Sequence, residues 1–272
     1  MTLSPAEAAT GADITISHVR KTFETPRGPI EALAGIDLDI APGEFVSILG
    51  PSGCGKSTLL MALAGLEPAT SGHIRISGAP VLSPRRKTGI VFQEPTLLSW
   101  KTALQNVLYP AEIAGQRMAD HAPRARALLD RVGLAGFEDQ RPRGLSGGMK
   151  QRVALCRALV QDPDLLLMDE PFSALDAITR DEMAELMLDL WSENSGRTAI
   201  FVTHSIHEAA LLSDRVIVMR RRPCDVLADV PVPFGRPRRM DVVDTPEFTA
   251  FSSHLRGLIA EAMGKTEAGR HV

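Results

Sequence analysis

Apolar and polar residues alternate through "DITISHVRKTFE" and again through "EALAGIDLDIAPGE". That period, with its β-branched residues, predicts two strands of an antiparallel or mixed sheet. "EFVSILG" breaks the alternation as a continuous apolar run closed by glycine, the pattern of a strand buried on both faces. "KSTLLMALAGL" predicts a helix stopped at Gly65, and "TGIVFQE" a strand over Thr88–Phe92. From about Glu94 to Asp139 the period becomes helical, in "TALQNVLYPAEIAG" and "PRARALLDRVGL". Buried strands resume at "DLLLMDEP" and "RTAIFVTH", with the amphipathic helix "TRDEMAELMLDLWSEN" between them. "SIHEAALLS" reads as a short helix and "DRVIVMR" as a closing strand. Pro231, Pro233 and Pro237 then interrupt regular structure, leaving a peripheral tail with one helix near "PEFTAFSSHLRGLIAEAM". Buried strands alternating with helices predict an α/β fold with a mostly parallel sheet and a helical insert.

Composition narrows the function classes. The 272 residues are 44% hydrophobic with a formal net charge of −3, enough for one large domain or two lobes. The charge offers no bulk attraction to nucleic acid, and 4% aromatics argue against a base-stacking surface. No apolar run reaches the roughly 18 residues of a membrane span, and "MTLSPAEAATGAD" has no secretory pattern. Cys54, Cys156 and Cys224 are widely spaced and read as small packing residues in a reducing compartment. Arg220–Arg222 and "GRPRRM" read as solvated basic edges.

Chemistry enters with "GPSGCGKST", which matches G-x-x-x-x-G-K-[ST] after a buried strand and before a helix. Over Gly50, Pro51, Ser52, Gly53, Cys54 and Gly55 such a loop turns successive N–H groups onto phosphate oxygens. Lys56 reaches the outer phosphates, Ser57 is placed for Mg²⁺, and Thr58 continues into the helix. The strand "LLLMDEP" ends in two adjacent carboxylates, a costly arrangement unless a cation stands beside them. Asp169 is then a Mg²⁺ partner, and Glu170 a candidate base for a water attacking the γ-phosphate. His204, after "AIFVT", is either structural or a bridge to water or phosphate. Gln93, after "IVF", is either a surface amide or a metal or water ligand at a hinge.

"LSGGMKQRVALCRAL", residues 145–159, opens a second helix with two glycines. Glycine costs a helix about 1 kcal/mol relative to alanine, so something comes close to the backbone there. Another anion is the usual reason.

Gly50–Ser57, Gln93, Leu145–Arg152, Leu165–Glu170, "SALD" at Ser173–Asp176 and His204 stand in an order that resembles the ATPase subunits of ABC transporters, over about Ile14 to Val230. "VFQEPTLLSW" and "VTHSIHEAALLSDRVIVM" are similar to the nitrate/sulfonate/taurine importer group. The resemblance implies an α/β P-loop NTPase (RecA-like) core with mixed sheet, an antiparallel β subdomain and an α-helical signature subdomain at about 94–154. It implies an extended or disordered stretch over 1–13, an ATPase domain over 14–230 and a C-terminal tail over 231–272. ATP and Mg²⁺ are the implied cofactors. Phe23 would stack on adenine, although a single Phe on a strand is usually core. Lys56 and the loop amides would hold phosphates, and Ser57 and Gln93 would ligate Mg²⁺ with Asp169 in support. Glu170 would be the catalytic base and His204 the γ-phosphate sensor. Ser146, Gly147, Gly148 and Gln151 would meet the nucleotide of a partner, and Asp176 would belong to a loop communicating across the dimer.

The implied partners are a second copy in a head-to-tail homodimer, transmembrane permease subunits and, indirectly, a periplasmic or extracellular substrate-binding protein. The implied place is the cytoplasmic face of the membrane, with no nucleic-acid partner. "QEPTLLSWKTALQNV" is the candidate permease contact, with Leu97, Leu98 and Trp100 either docking or core. Ser205 replaces a usual Asp, Ser173 a usual Gly, Cys156 a common Ala and Cys224 a usual Gly. A small anion such as an aliphatic sulfonate, taurine or nitrate is the implied cargo. A non-transport ABC ATPase, or an importer of another small substrate, is the alternative.

Overall fold

The computed structural model describes residues 11–192, 196–221 and 224–264. Residues 1–10 of the expected extended N-terminus, Arg222 of the basic cluster and the end of the tail lie outside the described residues. Strands are β1 (Ile14–Phe23), β2 (Ile30–Ile40), β3 (Phe45–Leu49), β4 (Ser71–Ile76), β5 (Ala79–Pro80), β6 (Thr88–Val91), β7 (Leu165–Asp169), β8 (Thr198–Thr203), β9 (Arg215–Met219) and β10 (Val226–Pro231). Helices are α1 (Lys56–Leu63), α2 (Ala103–Ile113), α3 (Met118–Arg131), α4 (Gly147–Leu159), α5 (Ala177–Ser192), α6 (Ile206–Leu212) and α7 (Pro246–Ala262).

The continuous apolar runs became the inner strands. Every residue of β3, β7 and β8 is buried. They lie in a six-stranded sheet of order β10-β9-β3-β8-β7-β6, parallel except for the antiparallel edge strand β10. Alternate side chains serve two cores, as the pleat requires. Phe45, Leu49, Met168 and Phe201 face α5, α6 and α7, with Phe45 edge-on to Trp191 at 4.9 Å. Val46, Ile48, Leu167 and Ile200 face α1 and the second sheet.

That second sheet has the order β2-β1-β4-β5 and is antiparallel throughout. Its β1–β2 pair follows the predicted alternation. β4 and β5 were not foreseen, because "HIRI" is short and hemmed in by Gly72 and Gly78. Helix α3 begins at Met118 rather than near Pro123, so the proline lies inside it. Helices α2, α3 and α4 enclose a third core of Ala103, Val107, Leu129, Val153 and Cys156. Helix α4 also joins the main core, through Leu155 and Leu159.

The tail is not peripheral. Phe248, Phe251 and Leu255 of α7 are buried in the main core, and Phe234 stacks on Phe248 at 5.8 Å. Their i, i+3, i+7 spacing makes one apolar stripe. Arg238 is also buried and donates to the carbonyls of Leu211 and Phe234, and its burial brings the guanidinium down to about 10. No described helix is long and apolar enough to cross a membrane.

Candidate functional site

Four neighbouring strands end at one edge of the large sheet, each beside a residue singled out from the sequence. β3 runs into Gly50, β8 into His204 and β6 toward Gln93, while β7 ends at Asp169 followed by Glu170. Register keeps the ends level: Leu49 pairs with Thr203, and Asp169 with Val202. Crevices at the carboxyl ends of parallel strands are where open α/β sheets take ligands. Here the crevice is a cavity of ≈ 520 Å³ lined by Phe23, Ser52, Gly53, Gly55, Lys56, Ser57, Thr58, Gln93 and Glu170, with Ile30 and Ala32.

The loop and α1 build the anion end. Gly53 and Gly55 have φ of +73° and +115°, and a Cβ on Gly55 would stand 2.7 Å from the Ala32 carbonyl oxygen. Helix α1 has no side-chain cap, so its first N–H groups are left for a ligand. Lys56 is only 4% exposed, and its Nζ donates to the carbonyls of Gly50 at 3.0 Å and Pro51 at 3.1 Å. Gly50, Pro51 and Cys54 shape the loop from behind and do not line the cavity.

The two carboxylates have different surroundings. Asp169 accepts the Ser57 hydroxyl at 2.9 Å. Burial pushes its carboxyl above the usual range; the Glu170 charge adds to this, while Ser57 and Lys56 oppose it. A cation between Ser57 and Asp169 would relieve that penalty. Glu170 stands 3.8 Å from Lys56 Nζ through Oε1 and 2.9 Å from His204 Nδ1 through Oε2. Its φ is +43°, a strained left-handed conformation. The backbone holds it there: its N–H donates to the Val202 carbonyl, and its own carbonyl accepts both the N–H and the hydroxyl of Ser173.

Some expected residues lie elsewhere. Phe23 is half-buried at the apolar end of the cavity, not in the core. Gln151 is buried and donates to the Phe92 carbonyl at 3.2 Å, so its amide braces the chain ahead of Gln93. Ser146 and Gly147 are exposed and do not line the Lys56 cavity. The Ser146 hydroxyl accepts the Met149 N–H at 3.2 Å, capping α4. Ser205, in place of the usual Asp, caps α6 by accepting the Glu208 N–H.

Sequence reading missed Arg180 and Glu208. Glu208 is buried, accepts the Thr203 hydroxyl at 2.6 Å and lies 3.7 Å from Arg180 Nε. Arg180 also donates to the Leu175 carbonyl, joining the loop 173–176 to the helix that follows His204. Charged residues in amphipathic helices read as solvent-facing, so only the contact itself reveals the pair.

The ABC transporter family model matches residues 33–173. The taurine import ATP-binding protein TauB of Jannaschia sp. (strain CCS1) is 42% identical over 264 residues, 94% of this chain and 98% of that protein. The nitrate import ATP-binding protein NrtD of Synechococcus elongatus (strain ATCC 33912 / PCC 7942 / FACHB-805) is 42% identical over 85% of each chain. The ATP-binding cassette MJ0796, solved as a dimer in a post-hydrolysis state with ADP and Pi, superposes with a TM-score of 0.71 at 33% identity, covering 82% of this chain and all of that one. With the phosphate loop, paired carboxylates and histidine on one sheet edge, this chain belongs to the ABC transporter family, as one of its ATP-hydrolysing subunits.

Proposed function

We propose that the chain is the energy-coupling subunit of an importer for a small anion such as an aliphatic sulfonate, taurine or nitrate. It works as a head-to-tail dimer on a separate permease at the cytoplasmic face of the membrane, fed by a substrate-binding protein on the other side. The importer relatives support the cargo class. The convergence of Lys56, Ser57, Asp169, Glu170 and His204 on one cavity edge carries the chemistry.

The reaction is hydrolysis of ATP to ADP and phosphate. Phe23 takes the adenine at the apolar end, and the loop amides with Lys56 take the phosphates. Ser57, Asp169 and the Gln93 amide are hard oxygen donors that fit Mg²⁺. No cluster of three or more His, Cys, Asp or Glu suited to a metal exists among the described residues, which suits an ion held largely by phosphates and water. When bound, Mg²⁺ offsets charge on the phosphates. Glu170 takes the proton of the attacking water, and His204 fixes the Glu170 carboxylate and meets the γ-phosphate. The proposed division is an ATPase domain over 14–230, its helical part at about 94–154, and a C-terminal segment docked by α7.

The permease contact is the segment after Gln93. Trp100 is 67% exposed, and Ile113, 70% exposed, borders a groove of ≈ 380 Å³ together with Phe92 and Tyr109. Leu97 packs on the helical core instead. The test is affinity capture of the co-expressed permease, followed by ATP-driven uptake of taurine, an alkanesulfonate or nitrate into vesicles. Trp100→Ala is expected to cut capture by about tenfold, the scale of one buried aromatic anchor, with ATP binding unchanged. Failure of the wild-type chain to associate with any multi-spanning partner overturns the transport reading.

Asn106 holds that segment in place. It is fully buried, accepts the Leu98 N–H at 2.7 Å and donates to the carbonyls of Leu98, Lys101 and Thr102. Asn106→Ala strands these groups and is expected to cost about 1–3 kcal/mol in chemical denaturation. Permease capture should fall with it; unchanged stability would contradict the assigned role of the amide.

A further inference from the structure

The phosphate loop holds a thiol that hydrolysis does not use. Cys54 lies between Gly53 and Gly55, yet its side chain points into the core behind the loop and is 1% exposed. Cys224, just ahead of β10, is fully buried in the same core. Its carbonyl accepts the Ala34 N–H at 2.9 Å, and its Cβ stands 3.2 Å from where a Cβ on Gly55 would be. The two thiols thus lie in one core cluster, with Cys224 packed against the backbone next to Cys54, although they are far apart in sequence. Cys156 is apart from both, inside the helical core. All three cysteines are free.

We propose that Cys54 and Cys224 form a redox-modification site: oxidation by a hydroperoxide joins them in a disulfide that ties the phosphate loop to the segment ahead of β10 and suppresses nucleotide binding.

The two thiols differ in acidity. The neighbouring Cys224 thiol is the main cause lowering the Cys54 thiol below its ordinary range; burial opposes it, and the Lys56 charge assists. The same proximity, with burial, pushes Cys224 up. With Cys54 attacking first, Cys224 resolves; the reverse order gives the same disulfide. The Cys54 sulfur attacks one peroxide oxygen, the O–O bond breaks, and water or an alcohol leaves. Cys54 is then a sulfenic acid. Cys224 sulfur attacks the Cys54 sulfur, the S–O bond breaks, and the hydroxyl leaves as water with the Cys224 proton. Two thiols lose two electrons and one hydroperoxide gains them.

The consequence is geometric. A disulfide holds its sulfurs about 2 Å apart and its Cα atoms within about 7 Å, so the bond fixes the phosphate loop to Cys224. Phosphate binding depends on the opposite freedom, because Lys56 must leave the Gly50 and Pro51 carbonyls to reach a phosphate. A misplacement of about 1 Å is enough to disable a positioned site.

The test treats reduced full-length protein with hydrogen peroxide, then counts thiols after denaturation and maps peptides by mass spectrometry. The three free thiols of the wild type should fall to one, with a peptide pair joined through Cys54 and Cys224. ATP affinity should fall by about tenfold or more, the scale of a misplaced binding group, and dithiothreitol should restore it. Cys224→Ala should bind ATP normally when reduced and show no dithiothreitol-reversible loss; Cys224→Ser gives the same comparison if the alanine variant folds poorly. The proposal rests on reading Gly50–Thr58 as the phosphate site, and ATP binding by the reduced wild type tests that reading separately. Three thiols surviving in the wild type, a bond linking two copies, or a Cys54–Cys224 bond with unchanged ATP affinity each overturns the proposal.

Discussion

Glu170→Gln is expected to bind ATP like the wild type, to lose about 10²–10⁴-fold in turnover and to accumulate as an ATP-bound dimer. The substitution keeps the side chain's length and shape. It also leaves the backbone restraints in place, since Val202 and Ser173 hold the +43° φ of residue 170 through main-chain atoms. What it removes is the ability to accept a proton. Lys56 loses the charge of its 3.8 Å partner at 170 but has its bonds to the Gly50 and Pro51 carbonyls besides, so the phosphate end keeps its ammonium. Binding and chemistry therefore separate. The Lys56→Ala variant should show the opposite profile, because it removes the buried ammonium the phosphates need. Equilibrium nucleotide binding, steady-state phosphate release and size-exclusion chromatography with ATP read the three quantities. Phosphate release near the wild-type rate in Glu170→Gln would remove Glu170 as the base and shift attention to His204, its 2.9 Å neighbour.

The parts legible in sequence were those that one segment determines by itself. Continuous apolar runs marked β3, β7 and β8 as inner strands, and strand ends of one parallel sheet share an edge. Placing Lys56, Asp169, Glu170 and His204 together thus needed only the fold class. Contacts between distant segments stayed hidden. Gln151 lies on the signature helix, and only packing shows that its amide turns inward to Phe92. The tail was misjudged because three prolines signalled an end of structure, whereas the aromatic stripe at Phe248 and Phe251 drives α7 onto the core. Ser205 replaces a usual Asp, and helix capping needs only an oxygen acceptor, which serine keeps.

Gly147→Trp is expected to leave ATP binding by the monomer intact and to abolish ATP-dependent dimerisation, with hydrolysis falling to the level of an isolated half-site. The two glycines of "LSGG" are small for different reasons. A Cβ on Gly148 would stand 2.4 Å from Thr179 Cγ2, so Gly148 is needed for α4 to pack beside α5. A Cβ on Gly147 would meet nothing within 4 Å. Within one chain Gly147 therefore has no steric reason to be glycine, and a side chain there costs the monomer little. The constraint has to come from outside, and the exposed start of α4, with Ser146 as its cap, offers N–H groups and the positive helix end to an anion. In the proposed head-to-tail dimer the Lys56 loop would hold this chain's own phosphates, and the anion at α4 would be the γ-phosphate of the partner's ATP. Bulk at 147 blocks that approach, whereas bulk at 148 unfolds the local packing and is uninformative. Analytical ultracentrifugation with ATP in the Glu170→Gln background isolates the effect, since that variant otherwise stays dimeric. A Gly147→Trp, Glu170→Gln double variant that still dimerises would show that Gly147 takes no part in the dimer contact.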